Sequence, residues 1–266
     1  MATRLSAFST SSPTLSALAE ASRLLAEEAE DIQDFGPSEV ISDSRVEFST
    51  LRGKVHPDTL AAITVRPFKY THMSPVQEKI LPMLPDLALP YDANSPHAND
   101  PAKPRDLLVK AKTGTGKTMA FLVPAIEARL KAIDDHVEAK VAQLASTGVE
   151  PTARDIAKIT TDFTRSTVGT VIISPTRELA TQIAVEASNL TSHHRGFQVQ
   201  LFLGGEDKGR QLRSWAGRKD IVVATPGRLI DMVESRVEVK EPLTTAKMVC
   251  DFLFLMQHPL MKSSSF

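Results

Sequence analysis

The chain has 266 residues, room for one large domain with extensions, and 42% of them are hydrophobic, enough for a buried core. Lys and Arg number 31 against 32 Asp and Glu, a formal net charge of −1 that excludes bulk basic attraction to nucleic acid, so any affinity of that kind has to come from a local arrangement. A single cysteine, Cys250, excludes a disulfide framework within the chain and points to a reducing compartment; no apolar run reaches the ~18 residues of a membrane span, so no membrane partner is expected.

Residues 1–45 read as an N-terminal extension, disordered or partly helical. Ser9, Thr10, Ser11, Ser12 and Pro13 mark an irregular stretch. Leu15, Leu18, Ser22 and Leu25 fall roughly on one face of a short helix between Leu15 and Ala29. Glu27, Glu28, Glu30 and Asp31 then read as a solvated face or a linker. The first 19 residues carry Arg4, many Ser and Thr, and no acid before Glu20, which reads first as a disordered tail and second as a mitochondrial transit peptide leading to the matrix, the location otherwise being cytoplasmic or nuclear.

From Phe48 the pattern is that of a globular α/β domain, taken here as 46–250. Leu60 to Ile63 and Val76 to Leu84 predict two short helices. Pro90 to Pro104, rich in Pro, Asn, Asp and Ala, predicts a surface loop. Asp106 to Val109 is a short apolar run before a glycine turn, which predicts a buried parallel strand. Thr118 to Ile133 predicts a helix, and 134–166, with few large apolar groups, an exposed helical insertion. Three apolar runs follow, Val168 to Ile173, Val199 to Leu203 and Ile221 to Ala224, each separated by a helical pattern. That alternation is the signature of a parallel sheet with crossover helices.

The segment Ala111-Lys112-Thr113-Gly114-Thr115-Gly116-Lys117-Thr118 lies between the predicted strand and the predicted helix, the context of a phosphate-binding loop. Gly114 and Gly116 let the backbone turn tightly and approach oxygen atoms closely. Successive N–H groups and the helix N-terminus favour anions. Lys117 reaches the β and γ phosphates in such a loop, and the Thr118 hydroxyl ligates Mg²⁺. This much specifies a nucleoside triphosphate and says nothing of RNA.

Further motifs carry a resemblance. The loop, Ala111 included, resembles the DEAD-box helicase form. Pro175-Thr176-Arg177-Glu178-Leu179-Ala180 follows the next strand and matches that family's first RNA-contact motif. Gly204-Gly205 follows the strand after it, at the family's paired-glycine position, and Thr225-Pro226-Gly227-Arg228-Leu229 matches the second RNA-contact motif. Singly, Arg177 and Glu178 could be a solvated charge pair and Thr225-Pro226-Gly227 a common turn. Four motifs in this order, each beside a predicted strand, are far more specific. The detailed flavour is similar to fungal mitochondrial members that assist splicing.

The resemblance implies a RecA-like parallel sheet with helices on both faces, here an incomplete first helicase core domain. It implies ATP and Mg²⁺ as cofactors, RNA as partner, and duplex unwinding by the full-length family. ATP contacts are expected from Thr113, Gly114, Thr115, Gly116, Lys117 and Thr118. Met73-Ser74-Pro75-Val76-Gln77 resembles the adenine-reading motif, so Gln77 is the residue expected to select ATP, since an amide donates and accepts at once. The family's adenine-stacking aromatic is assigned to Phe48, although Phe68 and Tyr70 lie nearer to Gln77. RNA contacts are expected from Pro175, Thr176, Arg177, Gly204, Gly205, Thr225, Pro226, Gly227 and Arg228. The two guanidinium forks suit phosphate oxygens, so sequence preference should be slight.

The strand that should carry the family's Asp-Glu-Ala-Asp motif is predicted at Ala246 to Cys250. Asp251 stands where the first, metal-holding Asp belongs, and Phe252 where the catalytic Glu belongs. Phe has no lone pair with which to orient water, so no catalytic residue is intact. Residues 251–266 otherwise resemble nothing in the family, and neither the Ser-Ala-Thr motif nor a second core domain follows, as in a truncated or misread coding sequence. The expected function is therefore ATP and RNA binding by a helicase core domain that cannot hydrolyse ATP. Alternatives are a non-catalytic binding fragment that competes with a full helicase, or another phosphate-loop enzyme such as a small-molecule kinase.

Overall fold

A computed structural model describes residues 46–89, 107, 109–112, 114–148, 150–246 and 248–251, the last four as backbone. The extension over 1–45 with its helix at Leu15 to Ala29, the loop Pro90 to Pro104 and the tail from Phe252 lie outside the described residues.

Each helix starts where the local chemistry directs. Helix α1 (Pro57–Thr64) has Pro at its first position, and the preceding His56 ring accepts a hydrogen bond from Asp58 N. Helix α2 (Pro75–Ile80) also opens on Pro, and Gln77 Oε1 reaches back 2.8 Å to Ser74 N. Helix α3 (Lys117–Ser146) follows Gly116 directly. It runs well past the expected end at Ile133. Helix α4 (Ala153–Ser166), capped by Thr152 and Asp155, packs against it. The expected insertion is thus helical, and His136 of α3 stacks on Phe163 of α4 with ring centroids 4.2 Å apart.

Strand β1 (Thr170–Ile173) leads to α5 (Arg177–Leu190), β2 (Val199–Phe202) to α6 (Lys208–Trp215), and β3 (Ile221–Ala224) to α7 (Pro226–Ser235) and α8 (Val237–Leu243). Strand β4 (Met248–Asp251) completes a sheet of order β2-β3-β1-β4, parallel throughout. Thr170 pairs with Ile221, and Ile221 with Val199, so side chains at paired positions, and at every second residue from them, share a face. Ile172, Ile221 and Val223 pack with Phe48, Leu122 and Ile183, under α1, α3 and α5. Val171, Val222 and Phe202 pack on the opposite face with Trp215, Met232 and Val239 of α6, α7 and α8. The α/β architecture with helices on both faces is as expected from the alternation of the runs.

One ion pair sets how α3 lies on the sheet. Arg129 Nε donates to Asp220 Oδ1 at 2.9 Å, and both side chains are buried. Nη1 and Nη2 donate to Thr167 Oγ1 and Thr167 O at 3.1 and 3.2 Å. Burial lowers the Arg129 pKa, and the Asp220 charge opposes that shift. Gly169 is required beside them, because a Cβ there would lie 2.4 Å from Asp220 O and 2.5 Å from Arg129 Cδ.

Of the strand expected at Asp106 to Val109, Asp106 and Leu108 lie outside the described residues, and the described Leu107 and Val109 are 39% and 40% exposed and outside the four-stranded sheet. The start of α3 is positioned by Gln77 and by packing against α2.

Candidate functional site

Two groups of side chains come together at the positions the motifs marked. The first surrounds the start of α3. Gly114 and Gly116 both hold positive φ, +79° and +77°, the left-handed region that glycine enters at no steric cost. At Gly116 the approach matters as well, since a Cβ would lie 2.5 Å from Gln77 Nε2. Gln77 is 5% exposed, and its Nε2 donates to Gly116 O at 3.1 Å while Oε1 accepts from Ser74 N. The amide therefore clamps α2 to the loop. Each of its two polar atoms keeps one further hydrogen-bonding position, as an amide has two protons and two lone pairs.

Lys117 turns its ammonium back into its own loop, donating to Ala111 O at 2.5 Å and to Lys112 O. Loss of solvation lowers its pKa. Thr115 Oγ1 donates to Lys112 O at 2.8 Å, and Thr118 lies half-buried in the first turn of α3. Thr113 lies outside the described residues. A triphosphate with Mg²⁺ fits this arrangement. Left-handed glycines bare the backbone, an ammonium sits at the loop on carbonyl partners that phosphate oxygens can replace, and a 30-residue helix begins there.

Phe48 does not join this group. Its ring is fully buried in the core beneath α1 and α3, so no face is left for a base to stack on. An aromatic this deep contributes burial instead. Tyr70, by contrast, is 48% exposed and tilted against Phe68 with centroids 5.5 Å apart.

The second group lies at the C-terminal ends of β1, β2 and β3, the edge where open α/β sheets bind ligands. Thr176 caps α5 by accepting from Leu179 N at 3.2 Å, which follows Pro175 and presents Arg177, half-exposed. Gly205 holds φ +80°, and Arg177 Nη1 lies 2.8 Å from where its Cβ would be. Thr225 N donates to Phe202 O, and Pro226 opens α7; Gly204 and Gly227 both face open space. Arg228 differs from expectation, as its side chain is only 9% exposed. Its Nη2 donates to Glu206 O at 2.9 Å, and its Nη1 is buried with no hydrogen-bond partner among the described residues. Packing against Asp231, one α7 turn on, holds the guanidinium inward.

Glu206 was not singled out by sequence. Its carboxylate binds Arg177 and its carbonyl binds Arg228, so one residue joins both RNA-motif arginines. A carboxylate just after Gly204-Gly205 was the available signal, but its partners lie 29 and 22 positions away in the chain. Asp251 ends β4 opposite Ile173, at the same sheet edge. Phe252 lies outside the described residues.

A phosphate-loop motif opening a helix, beside a parallel sheet whose C-terminal edge carries two arginines, defines a phosphate-loop type of α/β domain. The family model for DEAD/DEAH box helicases matches residues 96–250. The chain belongs to that family. It is 35% identical over 196 residues to "DEAD-box ATP-dependent RNA helicase 25" of Oryza sativa subsp. japonica, covering 73% of this chain and 25% of that protein. It is 40% identical over 133 residues to "DEAD-box ATP-dependent RNA helicase 48" of the same organism, covering 50% of this chain and 13% of that protein. The chain thus spans a quarter or less of the length of these relatives. Among solved structures, the yeast DEAD-box splicing factor Prp28 superposes with a TM-score of 0.50 at 20% identity, over 90% of this chain and 53% of that one, which shows the RecA-like fold.

Proposed function

We propose that the chain is the nucleotide-binding part of an ATP-dependent RNA helicase, one that binds ATP with Mg²⁺ and the RNA backbone and does not hydrolyse ATP by itself. The observation that carries this reading is the bond from Gln77 to Gly116, which joins the adenine-reading candidate to the phosphate loop. Gly114, Thr115, Gly116 and Lys117 would hold the phosphates, with Thr113 beside them, and Thr118 and Asp251 would hold the metal. ATP supplies the free energy that drives the family's cycle; this chain's residues bind and orient it. Arg177, Arg228 and the backbone of Gly204, Gly205 and Gly227, with Pro175, Thr176, Thr225 and Pro226 shaping their turns, would meet phosphate and sugar. The fragment reading of the same site, competition with a full helicase for RNA, rests on Phe252 in place of the catalytic Glu. The compartment proposed is the mitochondrial matrix, supported by the Ser/Thr-rich first 19 residues.

The test is fluorescent-nucleotide binding with and without Mg²⁺, together with turnover with and without single-stranded RNA. ATP should bind better than GTP, and Lys117→Ala should weaken binding about 10- to 100-fold, the worth of a charge-assisted hydrogen bond. Clear RNA-stimulated turnover by this chain would overturn the claim that it cannot hydrolyse ATP. Equal affinity for GTP would overturn the role of Gln77.

A further inference from the structure

Away from the nucleotide and RNA groups, three side chains of metal-ligating type converge where α1 begins and α5 has just ended. His56 and Asp58 flank the first turn of α1, and His194 lies four residues past the end of α5. Each offers one ligand atom, and the three atoms lie within 4.8 Å of one another. The imidazole rings of His56 and His194 are 4.8 Å apart between centroids. His56 Nδ1 lies 3.9 Å from Asp58 Oδ2.

The surroundings of His194 are what single this cluster out. Thr59 has one hydroxyl hydrogen, and it goes to Glu127 Oε1 at 2.7 Å. The 3.0 Å contact between Thr59 Oγ1 and His194 Nε2 is therefore donated by the imidazole. That settles the tautomer: Nε2 carries the proton, and Nδ1 is left with a lone pair and no hydrogen bond among the described residues. A histidine that ligates a metal is held in this way, its second nitrogen donating to a group anchored in turn by a carboxylate. Glu127 completes the anchor, because its Oε2 accepts from His56 N at 2.9 Å.

We propose that His56, Asp58 and His194 form a site for one divalent transition-metal cation of the zinc class, which joins the start of α1 to the turn after α5. Two imidazoles and one carboxylate are a zinc-type donor set with one position left for water. With metal–ligand distances near 2.0–2.2 Å, tetrahedral ligands sit about 3.4 Å apart, so the widest pair has to close by roughly 1.4 Å. The His56 and Asp58 side chains are 43% and 46% exposed and open to an arriving ion, and a metal on His56 Nδ1 would take the lone pair that now accepts from Asp58 N. Magnesium, which prefers oxygen ligands in an octahedron, is excluded by the same donor set. The site is separate from the nucleotide-binding reading and stands or falls without it.

The experiment uses the full chain, stripped with a chelator and titrated with Zn²⁺ against a fluorescent zinc indicator. One equivalent should bind, and millimolar Mg²⁺ should not displace it. His56→Asn keeps a side chain able to cap α1 but removes the imidazole. It and Asp58→Asn should each weaken binding at least about tenfold, and Thr59→Val about 10- to 100-fold. His72→Asn, a control at an exposed histidine elsewhere, should change nothing. Both primary variants alter half-exposed side chains, and circular dichroism verifies that they fold. Co²⁺ should give visible absorption bands in the parent chain that His56→Asn abolishes. Less than one equivalent, affinity unchanged in both His56→Asn and Asp58→Asn, or displacement by Mg²⁺ would each overturn the site.

Discussion

Arg177 Nη2 lies 3.3 Å from Glu206 Oε1, so the exposed arginine of the first RNA motif already has an anionic partner supplied by the loop after β2. A phosphate oxygen has to displace that carboxylate or share the guanidinium with it.

Glu206→Gln should therefore strengthen RNA binding. At about 4 Å in water a unit charge is worth about 1 kcal/mol, which corresponds to roughly fivefold in affinity. Both side chains are half-exposed, so stability should change by under about 1 kcal/mol. Arg177→Ala should weaken binding across sequences alike and reduce the salt slope by about one. Fluorescence anisotropy with single-stranded RNA at two salt concentrations measures both; weaker binding by Glu206→Gln would contradict the competition.

Gly116 and Gly148 have the same φ, +77°, but different surroundings. A Cβ at Gly148 meets nothing within 4 Å, whereas at Gly116 it meets Gln77 Nε2. Gly148→Ala should cost only the left-handed backbone, about 1–2 kcal/mol. Gly116→Ala should cost that and the Gln77 clamp, about 1 kcal/mol more, and should abolish nucleotide binding. Urea unfolding of the pair separates the two terms. Equal losses would mean that Gln77 yields without consequence.

Why were the motifs legible and these relationships not? Gly114, Gly116, Thr176 and Pro226 are residue types favoured by local backbone geometry, so the sequence marks them directly. Phe48 is different. An aromatic at the edge of a domain reads equally as base platform or core, and only the packing of α1 and α3 over it decides for core. The insertion at 134–166 was recognisable as helical from composition, but not that Arg129, α4 and Asp220 lock together. That pairing spans 91 positions, and an arginine in a helical pattern ordinarily reads as a solvated residue.

The Arg129–Asp220 pair gives the strongest stability expectation. Asp220→Ala would leave a buried guanidinium without its counter-charge, a loss of about 3–5 kcal/mol. Gln198 N and Arg218, which also bind the Asp220 carboxylate, would lose their partner too. Replacing both members, as Arg129→Met with Asp220→Ala, should recover part of the loss because the fully buried guanidinium is gone as well, and only the partly exposed Arg218 is left without its carboxylate. Thermal unfolding of the single and double variants tests this. Strict additivity would show that the two residues act independently.

Glu186 of α5 provides a pH test. It lines an open groove with Phe68, Thr181, Gln182, Val185 and Asn189, among which no cation answers its charge. Burial raises its pKa above the ordinary 4.5. The folded chain therefore holds this proton more tightly than the unfolded chain. The stabilisation is fully present below about 4.5 and is lost as pH rises through the folded value. Above that folded value the carboxylate is ionised beside an apolar ring and an exposed valine, and folding is weakened by it. Glu186→Gln should accordingly leave the urea midpoint at pH 4 unchanged and raise it at pH 7, by under about 1 kcal/mol for so accessible a position. A variant less stable than the parent at pH 7 would show instead that the ionised carboxylate has a favourable partner in solution.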